Sequence, residues 1–486
     1  MRMSLTAIEL FAGVGGFRLG LEGRPEAEEK GPFRVIWANQ WEPSVGRQHA
    51  SEIYAHRWNL KQTEDNEIFS NGLDDVLVNE NIEEVQTSSI PHHELLCGGF
   101  PCQDYSVART RSGEMGIKGE KGKLWTSIRR ILAEIETKPK IVFLENVPRL
   151  LNSPAAHRGL NFTVILNDLL DLGYDVEWRV INAADYGFPQ KRKRIFILAY
   201  LKDSFVLPDE PKKINNWIGL STNLKSDEDY FEGPIMQAFP IIGSPPNEIK
   251  HITIESNPKN KSPYENTGYA WLDGNGKRCV LTAKTTADYS GKFKLLGDVI
   301  EVPHDSNYEV IDNEKLRKYR YIKGEQKEWR IRKADREKAE RIDSGGGKNL
   351  WELYQELTSK YDSDLWAKSH YNDGYNVGIE DGIIYKYTAG KMAFPDSLSS
   401  PSRTVVTAEI GNSVSRMRHV IEYESGKYRR LMPVELERLN GFPSNWTQVG
   451  NISDSRRGFL MGNALVVGIV ERLAEPLAEL IRNRSD

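Results

Sequence analysis

Cysteine is scarce in this chain: Cys97, Cys102 and Cys279 are the three among 486 residues. Thiols so few and so scattered exclude a disulfide framework and a cysteine-built zinc cluster, and they predict a reducing compartment. Long apolar runs are missing too. No stretch of about 18 apolar residues exists to span a bilayer, and the N-terminus enters LTAIEL without a signal-peptide pattern. A cytoplasmic protein with no membrane partner is expected, and no metal site. Internal repeats are absent. Neither sign of charge is in excess, since 65 Lys and Arg against 69 Asp and Glu leave a formal net charge of −4. That balance neither requires nor forbids nucleic acid, because a basic cleft can sit in an acidic surface. The length allows two or three domains, or one large domain carrying an insertion.

What is present is a series of short apolar runs that empty into glycine-rich or polar turns. Residues 5–10 lead into Phe11-Ala12-Gly13-Val14-Gly15-Gly16-Phe17, and Val35-Ile36-Trp37-Ala38 leads into Asn39-Gln40-Trp41-Glu42. Leu95-Leu96-Cys97 enters Gly98-Gly99-Phe100-Pro101-Cys102-Gln103, which places Cys102 at the tip of a loop. Ile141-Val142-Phe143-Leu144 ends in Glu145-Asn146-Val147, and Arg194-Ile195-Phe196-Ile197-Leu198 follows Pro189-Gln190-Lys191-Arg192-Lys193. Helical periods separate the runs: Ile128, Ile131, Leu132 and Ile135 share one face, and residues 162–172 form an amphipathic stretch ended by Gly173. Alternation of this kind over the first 200 residues predicts a doubly wound α/β sheet. Ligands of such sheets lie beyond the carboxyl ends of the strands, so the turns at 11–17, 39–42, 97–103 and 145–149 should gather on one rim.

Beyond Leu207-Pro208 the pattern loosens. A charged stretch at 314–343 reads as a solvated helix running into Ser344-Gly345-Gly346-Gly347, with a phosphate-contacting arm as the alternative. A short helix should begin at residue 432. A final one is predicted over 463–482, with Val466, Ile469, Leu473, Leu477 and Ile481 on its apolar face.

Six motifs then carry a resemblance. FAGVGGF at 11–17, GGFPCQ at 98–103, ENV at 145–147, QKRKR at 190–194, RLNGFP at 438–443 and GNAL at 462–465 stand in the order found in cytosine-C5 DNA methyltransferases. Each is weak alone, and the ordered set is specific. The resemblance spans roughly residues 1–200 and 400–486. It implies an S-adenosylmethionine-binding, Rossmann-like mixed sheet over 1–204, completed by 455–486, and a smaller, irregular target-recognition domain over 205–454. The last helix would fold back beside the first strand.

The chemistry such an enzyme needs matches these residue types. Carbon 5 of cytosine is a poor nucleophile until a thiolate adds to carbon 6; the resemblance gives that role to Cys102, with Gln103 beside it. A donor at ring nitrogen 3 eases the addition, and Glu145 is the candidate if burial raises its pKa. Gln190, Arg192 and Arg194 alternate, so an extended segment turns all three to one face. By resemblance the two arginines stand by the base and its acid, with Arg194 reaching the ring carbonyl. The target base must leave the stack to be reached. For the cofactor and its product, S-adenosylhomocysteine, the resemblance implies Phe11, Gly13, Gly15, Gly16, Gln40, Trp41, Glu42, Asn81, Ile82, Leu124, Asn463 and Leu465.

At two positions the chain departs from the family. Asn81 stands in place of an aspartate, and its carbonyl still accepts the adenine amino group. Gln40 stands where the ribose-binding acid usually precedes an aromatic, and Glu42 follows two residues on. Strand geometry continuing through Trp41 would put Gln40 and Glu42 on one face and give the ribose to Glu42, which is our expectation; a turn at Trp41 would leave it to Gln40.

A transfer-RNA methyltransferase with DNA-type motifs is the alternative. Such enzymes usually carry Cys-Phe-Thr in the variable region, where this chain has only Cys279-Val280-Leu281-Thr282. RNA enzymes of the other cytosine-5 class place a second cysteine where Glu145-Asn146-Val147 stands. A non-catalytic DNA-binding relative is disfavoured by the intact Cys102, Glu145 and Arg194. Expected partners are double-stranded DNA and a cognate endonuclease of a bacterial restriction–modification pair, and the protein is expected to be a monomer.

Overall fold

Alternate side chains of Leu5–Leu10 (β1) face opposite ways, yet Ala7, Ile8, Glu9 and Leu10 are all buried. A strand hidden on both faces belongs in the middle of a covered sheet. The computed structural model describes residues 4–43, 45–73, 75–100, 123–155, 157–220, 231–245, 250–251, 261–324, 326–331 and 384–483. Around β1 it builds a sheet of twelve strands. These include Phe33–Asn39 (β2), Lys61–Gln62 (β3), Ile68–Ser70 (β4), Val76–Val78 (β5), Leu95–Gly99 (β6) and Ile141–Asn146 (β7). The other five are Tyr174–Asn182 (β8), Lys193–Leu201 (β9), Lys250–His251 (β11), Thr267–Leu272 (β12) and Arg278–Ala283 (β13), with Ile241–Gly243 (β10) and Thr285–Ala287 (β14) pairing separately. Across the sheet the order is β11-β13-β12-β8-β9-β7-β6-β1-β2-β5-β4-β3.

Strands β5, β2, β1, β6 and β7 run parallel. Strand β9 lies between β7 and β8 and is antiparallel to both. The cause is local: β8 and β9 are joined by residues 183–192, which hold only the short 3-10 turn Ala183–Tyr186, too little for the crossover that a parallel pair needs. Strand β12 is antiparallel to β8, and β13 to β12. One rim therefore collects the carboxyl ends of β1, β2, β6, β7, β8 and β13, and the amino ends of β9 and β12.

Helices Gly16–Glu22 (α1) and His49–Arg57 (α2) come first, and Lys123–Glu134 (α3) and Leu160–Asp171 (α4) form where the spacing predicts. Ile128, Ile131 and Leu132 of α3 enter the same core as Phe162, Ile165 and Leu169 of α4 and Leu96, Val142 and Leu144 of the sheet. Shorter helices form at Pro211–Trp217 (α5) and Pro234–Ala238 (α6).

The chain forms two compact units, 1–303 with 398–410 and 432–486, and 304–397 with 411–431. Their borders fall elsewhere than the 204/205 and 454/455 divisions suggested by the resemblance, because the β12–β13 hairpin extends the large sheet through β8. In the second unit, Asn313–Lys323 (α7) starts at Asp312, whose Oδ1 accepts from the Glu314 amide at 2.8 Å. The helix predicted over 314–343 ends at Lys323. Gly324 follows and then strand Gln326–Ile331 (β15), which pairs with Ile384–Ala389 (β16), and residues 332–343 lie outside the described residues. Lys323 does not face solvent but is buried against Asp396, Nζ to Oδ2 2.7 Å. A hairpin, Val420–Glu424 (β17) with Lys427–Arg430 (β18), stacks Tyr428 on Phe394.

The C-terminal region differs from the sequence reading in its helices. After Pro433–Leu439 (α8) comes a helix that was not predicted, Asp454–Asn463 (α9), and the predicted final helix then forms as Val467–Arg482 (α10), starting later than residue 463. The Ser453 hydroxyl caps α9, accepting from the Arg456 amide at 3.3 Å. Val466, Ile469, Leu473, Leu477 and Ile481 are buried as expected. Helix α10 lies along α1, where a Cβ on Gly20 would stand 2.6 Å from Val470 Cβ. No described helix is long and apolar enough to cross a membrane.

Candidate active site

Glu145, near the carboxyl end of β7, and Arg194, near the amino end of β9, meet because β9 runs backwards. Glu145 registers with Phe196 and Asn146 with Ile195, and Arg194 Nε lies 2.7 Å from Glu145 Oε1. The Glu145 side chain is only 13% exposed. Burial pushes its carboxyl above the ordinary value, and the guanidiniums of Arg194 and then Arg192 oppose the rise without cancelling it. One strand away, the exit of β6 passes this acid closely: a Cβ on Gly99 would lie 3.1 Å from Glu145 Oε2, and one on Gly98 would lie 2.6 Å from Leu10 O. Asn146 Nδ2 donates to Phe100 O at 3.2 Å, tying the two strand ends together. Cys102 and Gln103 lie outside the described residues. Cys97 and Cys279, the other two thiols, are both buried.

Gln190 and Arg192 are buried while Lys191 and Lys193 are exposed, so the alternation holds. Their partners nevertheless separate them from Arg194. Gln190 Nε2 donates to Asn440 Oδ1 at 2.8 Å and its Oε1 accepts from the Val405 amide at 2.9 Å. Arg192 donates to Val405 O at 3.1 Å and Gly462 O at 2.9 Å. Two of the three residues thus hold segments 402–405 and 462 in place, and Arg194 is the one paired with the acid.

The glycine turn is held from three sides. Phe11, Gly13 and Gly15 have φ of 56°, 58° and 83°, the left-handed region that glycine enters without penalty. Gln40 Oε1 accepts from the Gly13 amide at 2.7 Å, and Trp446 Nε1 donates to Val14 O at 2.9 Å. The Trp58 ring fills the place of a Gly15 Cβ, and Leu465 packs 3.2 Å from that of Gly16. Among the described residues, a Cβ on Gly13 meets no atom within 4 Å. The remaining candidates lie nearby or at the neighbouring strand ends. Gln40 is buried and Trp41 is 38% exposed. Glu42 Oε2 pairs with Arg456 Nη2. Strand β2 stops at Asn39, so Gln40 and Glu42 go to different partners instead of sharing a face. Asn39 Nδ2 holds Val78 O and Glu80 O, just ahead of Asn81 and the buried Ile82. Leu124 is half-buried against the core, Leu465 is buried and Asn463 is exposed.

Sequence reasoning passed over several of these partners. Glu9 is buried under the glycine turn, where Oε1 accepts from the Phe17 amide at 3.1 Å, and burial pushes its carboxyl up to about 8. A carboxylate inside the apolar run LTAIEL was the available signal. Glu437 is also buried; it accepts from the Trp446 and Thr447 amides at 3.2 and 2.9 Å and from Arg457 at 3.1 Å. It thereby fixes the turn that presents Trp446 to Val14, and no local pattern announces a partner 432 residues away. Among the described residues no group of His, Cys, Asp and Glu could hold a metal ion.

The rim thus brings together a desolvated acid–guanidinium pair and a glycine turn. The family model for C-5 cytosine-specific DNA methylases matches residues 5–479. The chain belongs to that family. Among relatives, the type II methyltransferase M.Sau3AI of Staphylococcus aureus is 36% identical over 482 residues, covering 98% of this chain and 96% of that protein. M.HhaI of Haemophilus parahaemolyticus, also a type II methyltransferase, is 33% identical over 218 residues, 44% of this chain and 55% of its own. The fold is shared with an Entamoeba histolytica methyltransferase at a TM-score of 0.52 and 14% identity, with both chains covered in full. This protein is accordingly a DNA cytosine-5 methyltransferase of the type II restriction–modification kind, and the doubly wound mixed sheet is its methyltransferase fold.

Proposed function

We propose that the chain methylates carbon 5 of a flipped-out cytosine in duplex DNA through a covalent adduct of Cys102, using S-adenosylmethionine. The Glu145–Arg194 pair carries this reading. It stands on the rim one strand from β6, whose chain continues into Cys102. The Cys102 thiolate adds to carbon 6, and Glu145 gives its proton, or a strong hydrogen bond, to nitrogen 3. Arg194 holds the ring carbonyl. After methyl transfer carbon 5 loses its proton, and the thiolate leaves as the ring double bond re-forms. When bound, the cofactor supplies an electrophilic methyl group. The open space beside Gly13 and the exposed Trp41 ring fit a ligand on this rim. The turn at 11–17 would hold its methionine part, Trp41 and Ile82 would flank the adenine, and Leu465 would close the turn. Asn81, Leu124 and Asn463 complete the assignment. Recognition of the target we place in residues 205–454, and a cognate endonuclease would share the site.

Bisulfite sequencing of DNA from cells making the protein tests the reaction and reads the target together. We expect one short motif methylated at cytosine, and replacing roughly 205–430 by the same region of a relative with a different target should change that motif. Unconverted cytosines in transfer RNA but not in DNA would overturn the reading.

Strand β2 ends at Asn39, so the shared face that favoured Glu42 does not form, but Gln40 Oε1 is engaged by the Gly13 amide. We therefore still assign the ribose to Glu42, whose ion pair with Arg456 uses Oε2 and whose charge strengthens a hydrogen bond about twofold over a neutral acceptor. Glu42→Gln should weaken S-adenosylmethionine by roughly 10- to 100-fold, as loss of a charged hydrogen bond of about 1.5–3 kcal/mol implies. Calorimetry with an analogue lacking the ribose hydroxyls separates the roles: the Glu42→Gln loss should disappear there, and the Gln40→Ala loss, acting through Gly13, should persist. The reverse pattern would give the ribose to Gln40.

A further inference from the structure

We infer that the loop at 284–294, in the first compact unit and within the recognition region proposed above, binds the DNA phosphate backbone about half a turn from the flipped base. The inference rests on the reading that duplex DNA is the substrate. Cross-strand register places the loop. Glu145 pairs with Phe196, Phe196 with Arg179, Arg179 with Thr267 and Thr267 with Ala283, so the acid and the end of β13 share one row. Four strand spacings of about 4.8 Å separate them, roughly 19 Å along the rim. At 3.4 Å per base pair, that is about five or six base pairs from the cytosine, within the half-turn a bound duplex presents to one face.

The loop's side chains suit a polyanion. Lys284, Lys292 and Lys294 are all exposed, against the single acid Asp288. Phe293 is 46% exposed at the tip, a large apolar ring left facing solvent. The backbone beneath is firmly held. The Lys294 amide donates to Gly187 O at 2.9 Å, and the Asp288 amide to Pro240 O at 2.9 Å. The Tyr289 ring lies edge-on to Phe293 with the Arg472 guanidinium over it at 5.3 Å. Gly187 has φ 88°, and a Cβ there would stand 2.5 Å from Lys292 O, so the loop sits directly on the segment that leads to Gln190 and Arg194. A braced, basic, ring-tipped loop on the rim that also carries Arg194 can grip a backbone. Exposed lysines alone would not suggest this; their row with Glu145 and the braced aromatic do.

The test measures the dissociation constant of the full chain for its target duplex between about 50 and 300 mM salt. Each phosphate contact contributes about 0.9 to the slope of log affinity against log salt. Replacing Lys284, Lys292 and Lys294 together by Ala should flatten that slope by roughly 1.8–2.7 and weaken binding at least about tenfold near 100 mM, with turnover at saturating DNA within about twofold. Phe293→Ala should weaken binding with the slope unchanged. The control is Lys202→Ala with Lys277→Ala, since those lysines lie at the opposite ends of β9 and β13. An unchanged slope in the triple variant, or an equal flattening in the control, overturns the inference. If the unaltered protein methylates no duplex, the proposed function fails instead, and the two failures are distinguishable.

Discussion

Cys102→Ser should lower methyl transfer by at least about 10³-fold while DNA binding persists, because the chemistry needs a thiolate and a serine hydroxyl provides almost no alkoxide near neutral pH. The other thiols cannot take over. Cys97 is fully buried in β6, its Sγ donating to Ile8 O at 3.3 Å, and burial and then the charge of Glu9 push its pKa well above the ordinary thiol value. Cys279 is buried in β13 and also raised, first by burial. A duplex with 5-fluorocytosine at the target should trap the unaltered protein, since fluorine cannot leave carbon 5 as a proton does, and peptide mapping should find the adduct on Cys102. An adduct on Cys97 or Cys279, or undiminished transfer by the serine variant, would refute the assignment.

Glu145→Gln should cost about 10²–10⁴-fold in turnover, the usual weight of a positioned proton donor. Its side chain is nearly as large, so the loss reports chemistry more than packing. The direction of the pH dependence follows from the raised pKa. Burial keeps more of the acid form near neutrality than an exposed glutamate would have, so turnover of the unaltered protein should fall as pH climbs through that raised value. The glutamine variant has no such proton to lose, and its low rate should be flat over the same range. Arg194→Ala is informative alongside it. Removing the guanidinium 2.7 Å away takes away a force that lowers the pKa, so the descending limb should move to higher pH. A profile that does not move would detach the limb from Glu145.

Much of the fold was legible in the chain itself. Apolar runs at 5–10, 35–38, 95–97 and 141–144 became β1, β2, β6 and β7, because a short, largely buried apolar run flanked by glycine or polar turns has few other stable uses. The apolar face of α10 was visible in its spacing for the same reason. Helix limits were less legible where charge replaced periodicity. The stretch 314–343 offered no apolar stripe to bury, and Gly324 ends the helix after Lys323, a lysine that finds its counterion 73 residues away in Asp396. Helix α9 was not predicted, and α10 starts later than expected because Asn463, Ala464 and Leu465 carry no strong start signal.

Sequence alone determined the family, through six motifs in order, together with the rim on which their turns gather. Only the tertiary structure decided which of those residues touch. The antiparallel entry of β9 puts Arg194 on Glu145 and sends Arg192 to Val405 and Gly462. The end of β2 at Asn39 turns Gln40 onto Gly13 and leaves Glu42 to Arg456. Trp446 closes the glycine turn from the far end of the chain. Strand register and long-range hydrogen bonds are set by the packing of whole elements, and the residues at either end of such a contact carry no local mark of the partner they will meet.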